Sequence, residues 1–229
     1  MTAVAENLAL VRERIARACG KVGRDPREVK VLAVTKTHPP EVVEKAIAAG
    51  CDAIGENRVQ EAAAKKPLVR GFAPWHLVGP LQRNKAKKAL ELFDVIATVD
   101  RAPLADLLEG LLAPRNRSLP VMVEVNLGRE PQKSGVLEEG LHALATHIFE
   151  RCPHLQLVGL LTVPPYDPDP ERSRPFFARL RELARTLERC FSLPKLELSM
   201  GMSEDFPVAV EEGATWVRLG RVLFGPRRT

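Results

Sequence analysis

Short, mainly apolar runs recur along the chain at 31–34, 53–55, 75–78, 95–99, 121–125, 157–163, 196–200 and 215–219, and between them the spacing changes to a helical period. Before the first run, Val4, Leu8, Val11, Ile15 and Ala18 predict a helix stopped by Gly20 and Gly23. Leu137, Leu141, Leu144 and Ile148 predict a second helical stripe. Phe176, Leu180, Leu183 and Leu187 predict a third, with Arg179, Arg181, Arg185 and Glu188 on its wet face. Strands that are apolar throughout, rather than alternating, belong to parallel sheets covered on both faces. Eight strand–helix units in 229 residues match a small α/β (β/α)8 barrel with an extra N-terminal helix. A doubly wound open sheet is the alternative, because periodicity does not show closure. No linker or low-complexity tract divides the chain, so one domain over residues 1–229 is expected.

Composition narrows the class. Hydrophobic residues make up 45% and charged residues 28%, ordinary for a soluble globular protein. No apolar run approaches the roughly 20 residues a membrane span needs. The opening MTAVAENLALVRER lacks the pattern of a signal peptide, so a cytosolic location is expected. Cys19, Cys51, Cys152 and Cys190 lie far apart without a CxxC pair, as idle thiols in a reducing compartment do. A net charge of +5 suits an anionic small ligand or a nucleic acid. Aromatics are only 5%, with Tyr166 the single tyrosine, a poor supply of stacking platforms for single strands.

In a parallel barrel the chemistry sits where strands end. The first run leads to Lys36, either a solvated strand terminus or an amine facing an enclosed mouth, where its pKa falls enough for Schiff-base chemistry. The seventh leads into SMGMSEDF. Ser199, Gly201 and Ser203 are small, and Ser203 suits the N-cap of a helix over 204–212. That turn is either an ordinary capped helix or a phosphate site at a helix N-terminus. The eighth run, VRLGRVLFG, holds Arg218 inside apolar sequence, which is costly without a partner, and then Gly220. Loops after strands seven and eight recur as the phosphate cradle of such barrels, so these two turns support each other.

Other positions keep two readings. His76 is a core histidine or a functional one, and Asn57 a helix cap or a ligand contact. Arg83, Lys85, Lys87 and Lys88 form a solvated helix face or an anion patch. Lys133, in QKSG, is a loop residue that could reach the mouth. No P-loop, HExxH or nucleophile elbow is present.

Taken in order, AVTKTHP, GENRVQE, WHLVGPLQRNK, QKSG, LSMGMSEDF and VRLGRVLFG resemble the motifs of the pyridoxal phosphate homeostasis protein family, whose members look like the barrel domain of alanine racemase standing alone. The resemblance implies pyridoxal 5′-phosphate as cofactor, with Lys36 as the Schiff-base lysine and Asn57 as a nearby contact. It implies phosphate contacts at Met202, Ser203, Gly220 and Arg221, and Arg218 facing the pyridine nitrogen. His76 lies in a shared motif without a firm role. Arg221 stands where a hydroxyl side chain is common, and His38 where relatives are often basic.

The resemblance further implies a carrier that keeps free cofactor low and supplies pyridoxal-phosphate-requiring apo-enzymes, with no established turnover; a monomer, with neither nucleic acid nor membrane as partner, is expected. The alternatives are a pyridoxal-phosphate-dependent amino-acid racemase and, last, a nucleic-acid module using the basic face. A racemase of the resembling type needs a second base, supplied there by another domain, whereas this sequence stops soon after the eighth run.

Overall fold

The computed structural model describes residues 2–225. Helix α1 (Ala3–Lys21) leads into β1 (Lys30–Val34), α2 (Pro40–Ala49), β2 (Ala53–Glu56), α3 (Val59–Lys65) and β3 (Trp75–Leu77). Then follow α4 (Ala86–Leu92), β4 (Val95–Val99), α5 (Ala102–Leu112), β5 (Leu119–Glu124), α6 (Glu138–Arg151) and β6 (Leu155–Leu161). Helix α7 (Arg174–Phe191), β7 (Glu197–Ser199), α8 (Phe206–Glu211), β8 (Trp216–Leu219) and α9 (Arg221–Phe224) complete the order.

The eight strands are parallel and close into a barrel in sequence order. Closure is direct: β1 pairs with β2 through Leu32 and Ala53, and with β8 through Lys30 and Trp216. An open sheet is excluded. Outside the barrel, strand and helix side chains such as Val31, Ile54, Leu77, Leu104, Phe177 and Phe206 form the main apolar layer. Inside it, Leu32, Ala53, Ala97, Met122, Leu161 and Trp216 pack across the lumen and separate its two mouths. Helix α1 buries Val4, Leu8, Val11, Ile15 and Ala18 and packs beside α2, α8 and α9, over the closing seam. Asn7 Nδ2 donates to Leu223 O at 2.9 Å, tying α1 to α9.

Three local expectations shift. The seventh-strand helix is shorter than 204–212, because Asp205 folds back to accept from Met202 N at 2.7 Å and Pro207 occupies its first turn. Ser203 is therefore not its N-cap. Helix α7 buries Phe177 and Ala184 rather than Phe176 and Leu183, a turn of its apolar face by one position. Leu137 precedes α6 and stays 39% exposed. No described helix is long and apolar enough to cross a membrane. Burial pushes the Cys51 thiol up to about 12 and Cys152 up to about 11, leaving both protonated at neutral pH.

Candidate functional site

At the C-terminal mouth lies a cleft of about 280 Å³, near the lower end of small-molecule sites. Lys36, Asn57, Met202, Ser203, Arg218 and Arg221 all line it, as do Gly220, His38 and Tyr166.

Lys36 follows β1 by two residues, in a turn rather than on the strand itself. That turn is pinned on both sides. Thr35 Oγ1 donates to Glu56 Oε1 at 2.6 Å, and Thr35 O accepts from Lys65 Nζ at 2.8 Å. Thr37, at φ 67°, donates its N–H to Glu61 Oε1. Lys65 Nζ also reaches Glu56 Oε1 at 2.6 Å and Glu61 Oε1 at 2.9 Å. This pair is sealed from solvent, with Glu56 fully buried. Burial raises the Glu56 carboxyl, against hydrogen bonds from Lys65 and Thr35, and its Oε2 has no hydrogen-bond partner.

Arg218 comes from β8 and is 6% exposed. Its guanidinium donates to Ser199 O, to Ser199 Oγ at 3.1 Å and to Thr162 O at 2.8 Å, which gives the buried cation the partners it requires. Burial drags its pKa down to about 10, with Glu124 and Asp205 opposing. It stays positive at neutral pH. Glu124 ends β5, accepts from Ser134 Oγ at 2.8 Å and is raised by burial.

The turns after β7 and β8 are joined. Gly201 adopts φ +91°, and a Cβ there would lie 2.6 Å from Ala209 Cβ and 2.9 Å from Phe206 Cα, so the turn closes only on glycine. Ser203 Oγ accepts from Val222 N at 3.3 Å, and Arg221 Nη2 lies 2.7 Å from Glu204 Oε1. Asn57 lines the cleft instead of capping α3, whose N-cap is Arg58. Gly79 packs so closely on it that a Cβ would sit 2.3 Å from Asn57 O.

Three of the expected residues are off the cleft wall: Gly201, within the turn just described, Ser199 and His76. Ser199 lies behind Arg218 as its acceptor, not on the cleft wall. His76 lies at the opposite, N-terminal mouth, against Trp216 at 4.8 Å between ring centroids. The cause is register: His76 is the second residue of β3, so its strand still has to cross the lumen before reaching the cleft. Lys133 does not line the cleft; its Nζ donates to Pro164 O at 2.9 Å and pairs with Glu130, tying the loops after β5 and β6. Arg83, Lys87 and Lys88 are exposed and Lys85 half-buried.

The pinning set, Glu56, Lys65 and Glu61, and the carboxylate Glu124 were not singled out from sequence. A carboxylate within or beside the end of a mainly apolar run was the available signal. An amine on one wall, a buried cation on β8 and two linked turns carrying Arg221 together suit a small carbonyl compound with an anionic group.

Comparison with known proteins agrees in family. The model of the alanine racemase N-terminal domain matches residues 2–228. The pyridoxal phosphate homeostasis proteins of Aquifex aeolicus and Pseudomonas aeruginosa are each 42% identical, over 97% and 99% of this chain and 98% and 97% of theirs. PipY of Synechococcus elongatus, solved with pyridoxal phosphate bound, superposes with a TM-score of 0.81 at 37% identity, covering 97% of this chain and 100% of PipY. Clostridium difficile alanine racemase shares the fold, with a TM-score of 0.71 at 14% identity over 98% of this chain and 57% of its own. The chain belongs to the pyridoxal phosphate homeostasis protein family, built on the alanine racemase N-terminal domain.

Proposed function

We propose that the chain, acting as one domain, binds pyridoxal 5′-phosphate reversibly in the C-terminal cleft and supplies it to apo-enzymes, without turnover of its own. The observation that carries this reading is the convergence of Lys36, Arg218 and the linked turn residues 202–204 and 220–221 on one cleft. When bound, the cofactor supplies an aldehyde that captures amines and a ring that withdraws electrons. Lys36 is the amine for that aldehyde, held in place by the Thr35 and Thr37 contacts. Met202, Ser203, Gly220 and Arg221 take the phosphate, Arg221 as a charge-assisted donor. Asn57 borders the ring.

Arg218 is assigned to the ring nitrogen. A guanidinium takes up no proton and its charge disfavours a protonated ring, so the site holds the cofactor while weakening it as an electron sink. PipY, with its cofactor bound, and the curated relatives support the ligand. The four thiols fit a reducing cytosol. The reading is of a monomer.

Sodium borohydride reduction of the yellow holo protein, followed by peptide mapping, tests the assignment. The adduct is expected on Lys36 and absent in Lys36→Ala. An adduct on Lys133 or Lys85 in the unmodified chain overturns it.

A further inference from the structure

The barrel has a second cavity, at the N-terminal mouth, and nothing in the proposed carrier role uses it. All eight strands contribute to it, from the residue just before the strand to, in β6, its fourth residue Val158, and its volume of about 630 Å³ exceeds that of the C-terminal cleft. The size lies in the range of small-molecule sites.

Its walls are apolar, from Pro74, Val95, Pro120 and Leu157 among others. Its charges are already committed. Lys30 Nζ binds Glu197 Oε1 at 2.9 Å and sits 4.8 Å above the Trp216 ring. The other Glu197 oxygen accepts from Trp216 Nε1 at 2.7 Å. Asp52 is held by Arg12 at 2.6 Å and by Val31 N at 2.7 Å. Lys195, at the rim, is 74% exposed by its side chain and pairs with Glu28 at 3.8 Å.

One polar side chain is left over. His76 is 4% exposed, packs at a tilt against Trp216 and makes no hydrogen bond among the described residues, its ring nitrogens being open to the cavity rather than sealed. A buried polar group without a partner is costly unless a ligand or solvent completes it. We infer that the N-terminal mouth is a second binding site, for an uncharged, largely apolar small molecule whose hydroxyl or amide hydrogen-bonds His76. Burial keeps that imidazole neutral, with its pKa pushed down to about 4, so it offers one donor and one acceptor and no charge. An anion would find its nearest cation, Lys30, already paired.

The test uses holo protein, so that the C-terminal cleft is filled, and three probes of one shape: 2-naphthol, naphthalene and 2-naphthoate. Binding is followed by tryptophan fluorescence and by the imidazole NMR signals of His76. Saturating 2-naphthol is expected to shift the His76 signals and to bind about two- to tenfold tighter than naphthalene, the range of one neutral hydrogen bond. 2-Naphthoate should bind weakest. His76→Phe should erase the preference for the hydroxyl while keeping naphthalene, and Val158→Trp should fill the cavity and abolish both. Unmoved His76 signals in the unmodified protein overturn the proposal without recourse to a variant. So do tighter binding of 2-naphthoate, or undiminished binding in a folded Val158→Trp protein.

Discussion

Arg221 and Glu204 face each other across the C-terminal cleft, Nη2 to Oε1 at 2.7 Å, although they come from turns after different strands. The carboxylate occupies the cation that the proposed phosphate would use. Both side chains are substantially exposed, 60% and 44%, so the pair itself is weak and can open. Glu204→Gln should therefore tighten pyridoxal 5′-phosphate about two- to fivefold by freeing Arg221, and leave pyridoxal unchanged. Arg221→Ala should narrow the gap between the two ligands. In the unmodified protein that gap is expected to be at least about tenfold, from several charge-assisted bonds. Equal affinities for phosphorylated and unphosphorylated ligand, measured by spectral titration, would remove the phosphate assignment.

The Glu56–Lys65 pair predicts a stability effect. Both groups are sealed from water, so removing one strands the other. Lys65→Met should lower unfolding free energy by about 3–5 kcal/mol, read as a lower urea midpoint with unchanged slope. The double variant Glu56→Gln, Lys65→Met should lose less than the single, because no bare carboxylate remains. A loss under 1 kcal/mol in Lys65→Met (about the size of a surface pair) would show that the pair is not sealed in solution.

How much of this was legible in sequence follows from what a sequence encodes locally. Apolar runs marked all eight strands because strands covered on both faces need little polar punctuation. The cleft residues followed because a barrel puts its strand ends together whatever lies between them. Side-chain direction was less legible. Phe176 and Phe177 are both apolar, and only packing chose the second. Ser203 was a sound N-cap by type, but Asp205 is two residues on and took the Met202 N–H instead. His76 shared a motif with cleft residues, yet its place two residues into a short strand put it at the far mouth. The pairing of Glu56 with Lys65 needed the fold, since nothing in either residue type announces a buried ion pair.

His76 also sets an acid dependence. In the folded protein it titrates near 4, because burial outweighs the attraction of Glu197 and Asp94, whereas an unfolded histidine titrates near 6.5. Between those values the unfolded chain binds more protons, so stability rises with pH through the window. The contribution is complete above about 6.5 and lost as pH falls towards 4, amounting to about 3 kcal/mol at most. Glu56 and Glu124, both raised by burial, act in the opposite sense, their protonated forms favouring the folded state until pH rises through their values. The clean measurement is therefore the difference between the unmodified chain and His76→Gln across pH 4–7, which should be steepest near 5. A flat difference would mean that His76 is already solvated or paired.

Racemisation is the competing chemistry, and the proposed carrier role predicts a slow rate for it. Moving a proton between the two faces of a substrate carbon takes a base on each face. Lys36 is one candidate. His38, Glu204 and Tyr166 line the cleft and are of types that serve as bases; Tyr166 is 80% exposed at the rim, in the loop after β6. Among the described residues no hydrogen bond fixes its hydroxyl, and losing a positioned base typically lowers a rate about 10²–10⁴-fold. Arg218, charged and buried, would further weaken the ring as an electron sink in its proposed place beside the ring nitrogen. From a typical enzyme rate of about 10 per second, these deficits leave about 10⁻¹ to 10⁻³ per second. The measurement is deuterium uptake at the α-carbon of L- and D-alanine in heavy water with purified holo protein. Exchange at or below that range fits a carrier, and Tyr166→Phe should leave it unchanged. Several exchanges per second, abolished in Tyr166→Phe, would establish Tyr166 as the second base and the protein as a racemase.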